Sequence, residues 1–183
     1  SIGGALAMNA GAYGGEIKDI LVEAQFIDRM GQVRRLTPDD MNLSYRHADI
    51  PEGWIATGVL FKSTGRDAPE IILSRMSEIR EKRSASQPIR AKTGGSTFAN
   101  PKVEDLAKCG LPDGTRAWQI VDKVGARGLR VGGAQMSELH ANFMINTGGA
   151  TGADLEDLGD EIRRRALDSF GLDLRWEIKR IGR

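Results

Sequence analysis

The chain has 183 residues, 40% of them hydrophobic and 28% charged, with a formal net charge of +1. That length supports one large core or two small ones, and the composition is that of a globular protein, not a disordered one. Near-neutrality gives no electrostatic footing for nucleic acid or an anionic membrane, and no apolar run approaches the roughly 20 residues that span a bilayer.

The chain opens on Ser1-Ile2-Gly3-Gly4 without a methionine or a signal-peptide pattern, and is read as the C-terminal portion of a longer enzyme. Residues 1–16 hold five glycines and no apolar period. They read as irregular chain, either a loop between strands or a place where backbone amides approach a polar ligand. From Asp19 to Ile27 apolar and polar residues partly alternate, with Val22, Ala24 and Phe26 on one side, and this predicts a strand. Met30-Gly31-Gln32 turns the chain into a second strand over Val33–Leu36, and Thr37–Asp40 is a turn or the start of a short helix. Tyr45, Arg46 and His47 then follow in succession, and Trp54–Lys62 is rich in β-formers.

Asp67 and Glu70 resemble a capping box for a helix on which Ile72, Met76 and Ile79 follow at helical spacing and which runs to about Arg83. The cations from Arg80 to Lys92 form either a solvated face or a diphosphate contact. Thr93-Gly94-Gly95-Ser96, closed by Asn100-Pro101, predicts a mobile ligand-facing loop with one hydroxyl at its tip; an ordinary Gly-Ser turn has the same composition. Short helices are expected at 103–109 and around Trp118, Val121 and Val124. A tight glycine passage follows at Gly132-Gly133, and a strand at Ala141–Asn146. Thr151 and Asp154 cap a last helix that buries Leu155, Leu158, Ile162 and Ala166 and stops at Gly171. Leu172, Leu174, Trp176 and Ile178 alternate with polar residues as a half-buried strand. On its polar face Glu177 lies between cations, where a solvated charge ladder is the simplest reading.

Several constellations are absent. The two histidines, His47 and His140, lack metal-ligand spacing, and the single cysteine, Cys109, makes neither a disulfide nor a Cys-x-x-Cys pair, which fits a reducing cytoplasm. There is no phosphate-loop signature and no G-x-G-x-x-G. Ser96 and His140 could belong to a hydrolase, but Ser96 is not in a G-x-S-x-G elbow. Strands first, then alternating helices and strands, imply an α+β chain.

Taken together, Ile2-Gly3-Gly4-Ala5, Asn9–Gly14, Tyr45-Arg46, Gly95-Ser96 with Phe98 and Asn100-Pro101, Gly132–Gln135, His140–Phe143 with Asn146, and Glu177 with Ile181-Gly182 resemble the UDP-N-acetylenolpyruvoylglucosamine reductase (MurB) family, in the compact branch that lacks an extra substrate-covering loop. The resemblance implies an FAD-containing, NADPH-dependent oxidoreductase that makes UDP-N-acetylmuramate for peptidoglycan. Hydride passes from NADPH by way of FAD to the β-carbon of the enolpyruvyl group, and a proton must reach the α-carbon. It further implies the remainder of an FAD-binding domain over 1–83, a smaller α/β substrate-binding domain over 84–171, and a final strand, 172–183, that returns to the first domain.

By the same resemblance Ser96 is the proton donor, with Arg46 and Glu177 polarising the substrate carboxylate. Ile2, Gly3 and Gly4 lie on the flavin side, and Tyr13, Tyr45, Asn100 and His140 are substrate contacts. A carboxylate such as Glu177 beside an enolate has to be protonated or paired to avoid repelling it. Ala99 stands where the family commonly has lysine. The implied partner is a small-molecule nucleotide sugar, and the implied protein is a cytoplasmic monomer without metal, nucleic acid or membrane. Two rivals stand beside this: a related flavin oxidoreductase with another substrate, and a non-catalytic nucleotide-sugar-binding module.

Overall fold

The computed structural model describes residues 1–180, and the chain divides into two compact units, Ser1–Pro69 and Glu70–Arg183. The first unit opens with a short helix, α1 (Ile2–Ala7), where the sequence predicts irregular chain. The Ser1 hydroxyl accepts the Gly4 amide at 3.2 Å, and Leu6 is fully buried, so a cap and one apolar anchor hold a turn that has no period to announce it. A small hairpin, β1 (Gly11–Ala12) and β2 (Gly15–Glu16), follows. Its two-residue loop places Tyr13 at φ 54° and Gly14 at φ 86°, the all-positive pattern that matches strand twist.

The predicted strands form as β3 (Leu21–Ile27), β4 (Val33–Leu36) and β5 (Ile55–Phe61), an antiparallel sheet of order β4-β3-β5. Val22, expected on the buried side, is 41% exposed, because a register shift between Leu21 and Glu23 turns Leu21 inward instead. Leu6, Leu21, Ala24, Phe26 and Met41 form this unit's core, with the Trp54 ring 6.0 Å from Phe26.

Helix α2 (Pro69–Ser86) forms as predicted, but no residue of it is buried: Ile72, Met76 and Ile79 are 45%, 54% and 38% exposed. The second unit's sheet has the order β6-β9-β8-β7, all antiparallel, from β6 (Lys92–Ser96), β7 (Arg130–Val131), β8 (Ala134–Met136) and β9 (Phe143–Asn146). Thr93–Ser96 is therefore an edge strand and not the predicted loop. Glycines weaken strand propensity, so local sequence reads as a turn; pairing with β9 overrides it. From Thr93↔Ile145 to Ser96↔Phe143 the ladder takes three steps on β6 and two on β9, a bulge at Gly94-Gly95 with Gly95 at φ 94°.

Helices α3 (Val103–Lys108) and α4 (Ala117–Lys123) fall where expected. In α4 it is Ala117, Ile120 and Val121 that are buried, while Trp118 is half-exposed. The β7–β8 turn needs both of its glycines. A Cβ on Gly132 would overlap the Asp154 carboxylate, and one on Gly133 the Ala150 backbone. Helix α5 (Gly152–Phe170) has the predicted Thr151/Asp154 capping box and ends at Gly171 in the left-handed conformation. It buries Leu158, Ile162 and Ala166 in a core shared with Phe98, Ile120, Met136 and Leu174.

Of residues 172–183, predicted as a strand returning to the first domain, 181–183 lie outside the described residues, and the described 172–180 form no strand. They make a single antiparallel bridge, Phe98↔Trp176, within the second unit. The apolar residues alternate as expected, with Leu172 and Leu174 buried, but no neighbouring strand continues the ladder.

Candidate active site

In the first unit the Ser44-Tyr45-Arg46-His47 turn is closed by reciprocal backbone bonds between Ser44 and His47, both 3.1 Å. It holds Arg46 at φ 55°, an uncommon conformation for a residue with a side chain. Arg46 donates from Nη2 to the Gly11 carbonyl at 2.9 Å, and its guanidinium lies 4.9 Å from the Tyr45 ring centroid. The turn and the β1–β2 hairpin together border an open cavity of about 430 Å³, lined by Gly11, Gly14, Gly15, Glu16, Tyr45 and Arg46 among others. Lys18, 2.8 Å from Glu16, holds that carboxyl below its usual range; desolvation opposes this, and Asn9 and Arg46 add to the lowering. Tyr13 is at the hairpin tip, 58% exposed.

Ile2, Gly3 and Gly4 form the first turn of α1. Ile2 and Gly4 are exposed, and Gly3 lies over Ala56, where an added Cβ would make an ordinary contact at 3.5 Å.

In the second unit the bulge of β6 delivers Ser96 to the edge of the sheet, and the C-terminal segment runs alongside. The Glu177 amide donates to the Thr97 carbonyl at 2.8 Å, and the Ala99 amide to the Arg175 carbonyl at 2.9 Å. Ser96 and Glu177 thus sit on neighbouring, directly bonded backbones, both half-buried. Trp176 anchors the segment: its ring lies 5.4 Å from Phe98, and a Cβ at Gly159 would overlap its indole. Trp176 and Ile178 border a largely apolar cavity of about 350 Å³ that also touches Gly94, Met144 and Leu155.

The Asn100 side-chain oxygen accepts the Ala117 amide at 3.2 Å, fixing the start of α4. His140 packs between Trp118 and Phe143, with ring centroids 6.4 and 4.7 Å away. Its Nδ1 accepts the Asn142 amide at 3.2 Å. Burial, and secondarily the charge of Arg127, push its pKa below the ordinary 6.5, so the ring is neutral near pH 7 and Nδ1 stays an acceptor.

Comparison with known proteins decides the family. The sequence pattern described as UDP-N-acetylenolpyruvoylglucosamine reductase, C-terminal domain, matches residues 87–181, more than half of the chain. The chain belongs to the UDP-N-acetylenolpyruvoylglucosamine reductase family. Proteins of that name from Rhodospirillum rubrum and Paramagnetospirillum magneticum are 54% and 51% identical to it over 183 residues; each match covers 100% of this chain and 55% of the relative. The crystal structure of UDP-N-acetylenolpyruvylglucosamine reductase (MurB) from Thermus caldophilus superposes with a TM-score of 0.78 at 34% identity, over 97% of this chain and 59% of that one. The chain therefore spans about 55% of the length of the curated reductases it matches.

Of the residues expected from sequence, Ser96 and Glu177 lie on backbone segments bonded through Thr97, and His140 packs on Phe143, the register partner of Ser96. Tyr45 and Arg46 come together in the first unit. Two ordering residues escape the sequence reading. Asn9, fully buried at φ 37°, donates to Glu16 and to the Ser44 carbonyl, each at 3.1 Å, and accepts the Lys18 amide at 3.0 Å, tying the hairpin to the Tyr45-Arg46 turn. Buried Thr97 accepts the Met144 amide on its hydroxyl at 3.1 Å. An asparagine in a glycine-rich stretch signals a turn and nothing more. Among the described residues no helix is long and apolar enough to cross a membrane.

Proposed function

We propose that this chain takes part in reducing UDP-N-acetylglucosamine enolpyruvate to UDP-N-acetylmuramate in the cytoplasm, as the substrate-protonating part of the reductase. Bound FAD, charged from NADPH, supplies the hydride for the β-carbon of the enolpyruvyl double bond. The chain's own residues do the rest. Ser96 gives its hydroxyl proton to the α-carbon, completing addition across the double bond. A serine hydroxyl is a poor acid, so it must be held against the carbon that takes the proton. Arg46 and a protonated or paired Glu177 are each assigned the role of polarising the substrate carboxylate and offsetting the charge that develops there.

The observation that carries this reading is the direct backbone bonding of residues 97–99 to residues 175–177, in a chain whose family is established. Tyr13, Tyr45, Asn100 and His140 are assigned to the nucleotide sugar, and Ile2, Gly3 and Gly4 to one edge of FAD. In this assignment residues 1–83 serve the flavin and residues 84–171 the substrate, and the protein acts as a monomer.

The test is anaerobic absorbance of the flavin-loaded protein. NADPH should bleach the flavin, and the enolpyruvyl nucleotide sugar should restore its colour. Bleaching without restoration would overturn the substrate. Absence of bound flavin, with the nucleotide sugar still binding, would favour a non-catalytic binding module.

A further inference from the structure

Resting on the role just proposed for Ser96 and Glu177, we infer that Asn142 is the positioning residue that sets the spacing between them. The bulge in β6 ends the regular ladder at Ser96↔Phe143, so residues 97–99 need other partners for their backbone groups. Asn142, 5% exposed, supplies them. Its Oδ1 accepts the Phe98 amide at 3.0 Å and its Nδ2 donates to the Phe98 carbonyl at 2.8 Å, so one side-chain amide plays the part of a strand residue. That pair of bonds also dictates which end of the amide is oxygen. The Asn142 carbonyl accepts the Thr97 amide at 2.7 Å.

Three bonds from one residue therefore grip Thr97 and Phe98 from the β9 side. On the other side, Thr97 accepts from Glu177 and Phe98 bridges Trp176. Ser96 is the residue immediately before this clamped dipeptide, and Glu177 is bonded to it. Asn142 touches neither reacting group; it acts through the backbone between them. The alignment of a proton donor tolerates little error, and a misplacement of about 1 Å costs on the order of 100-fold in rate.

The experiment uses Asn142→Leu and Asn142→Asp in the flavin-loaded protein. Leucine is close in shape and removes both side-chain bonds. Aspartate keeps an acceptor for the Phe98 amide and sets an oxygen against the Phe98 carbonyl, so it serves where leucine does not fold. Substrate-driven return of flavin colour should slow by about 100-fold, with the NADPH-driven bleaching rate and the KM for the nucleotide sugar within about threefold. Amide exchange at Phe98 and Glu177 should rise by about tenfold while α5 keeps its protection.

Unchanged exchange at Phe98 and Glu177 would overturn the inference, and so would a colour return at the normal rate. If the unsubstituted protein shows no substrate-driven return at all, the reductase reading fails by itself, and the exchange measurement still decides whether Asn142 holds the two segments together.

Discussion

At the scale of single residues, the candidate site is organised by amides rather than by charges. Asn9 satisfies three backbone or side-chain partners from a fully buried position, so replacing it removes three part-buried bonds at once. Asn9→Ala should destabilise the first unit by about 1–3 kcal/mol, the summed net contribution of the three lost bonds, read from urea unfolding through Trp54 fluorescence. His140 offers a second prediction. Its pKa is lowered by burial first and Arg127 second, so the unfolded chain takes the proton more readily than the folded one. Stability is then complete above the ordinary value of 6.5 and falls as the pH drops from 6.5 toward the lowered folded value. Calorimetry across that window should show a slope that His140→Gln removes. NMR should show His140 titrating below 6.5, easily assigned in a chain with two histidines.

At the scale of elements, packing against α5 decides where the C-terminal segment lies. Gly159 is buried beneath the Trp176 indole, and a methyl group there has no room. Gly159→Ala should cost about 1–3 kcal/mol through overpacking and disturb the near-ultraviolet circular dichroism of the tryptophans. Adding Trp176→Phe should recover much of the loss, because the overlapping atoms all belong to the outer ring of the indole. Among the described residues the buried Trp176 Nε1 has no hydrogen-bond partner, so the phenylalanine forfeits no bond to them.

The elements also differ in how plainly the sequence announces them. Helix α5 was legible because cap, apolar period and terminal glycine agree from Thr151 to Gly171. β6 was not, since Gly94 and Gly95 argue locally for a turn and only β9 makes them a strand. For residues 172–178 the alternation was legible and the pairing was not, because period alone names a face and never a neighbour. Ser96 and Glu177 receive roles by resemblance, whereas Asn9 and Asn142, though within stretches that carry it, receive none, since a hydrogen-bonding hub leaves no spacing pattern in a chain.

At the scale of the whole molecule, each unit has a core of its own, one around Phe26 and Met41 and the other around Phe98, Ile120 and Leu158. Thermal unfolding should therefore depart from a single two-state transition, with the calorimetric enthalpy exceeding the van't Hoff value. Core substitutions such as Met41→Ala and Ile162→Ala should each shift a different part of the thermogram, and one coincident transition for both would argue against independent cores. The division also puts the expected catalytic residues on different units, with Arg46 in one and Ser96 and Glu177 in the other.

The pairing of residues 97–99 with 175–177 carries a consequence for synthesis. The Arg175–Asn100 contact closes a stretch of 75 residues, so the entropy of bringing its ends together must be met before any bond across it forms. A ribosome that has translated β6, the sheet and even α5 has not yet produced Glu177. Ser96 therefore leaves the ribosome long before its neighbour exists. The bonds between 97–99 and 175–177 form only after β6, its sheet and α5 have been made, when residues 175–177 dock on them.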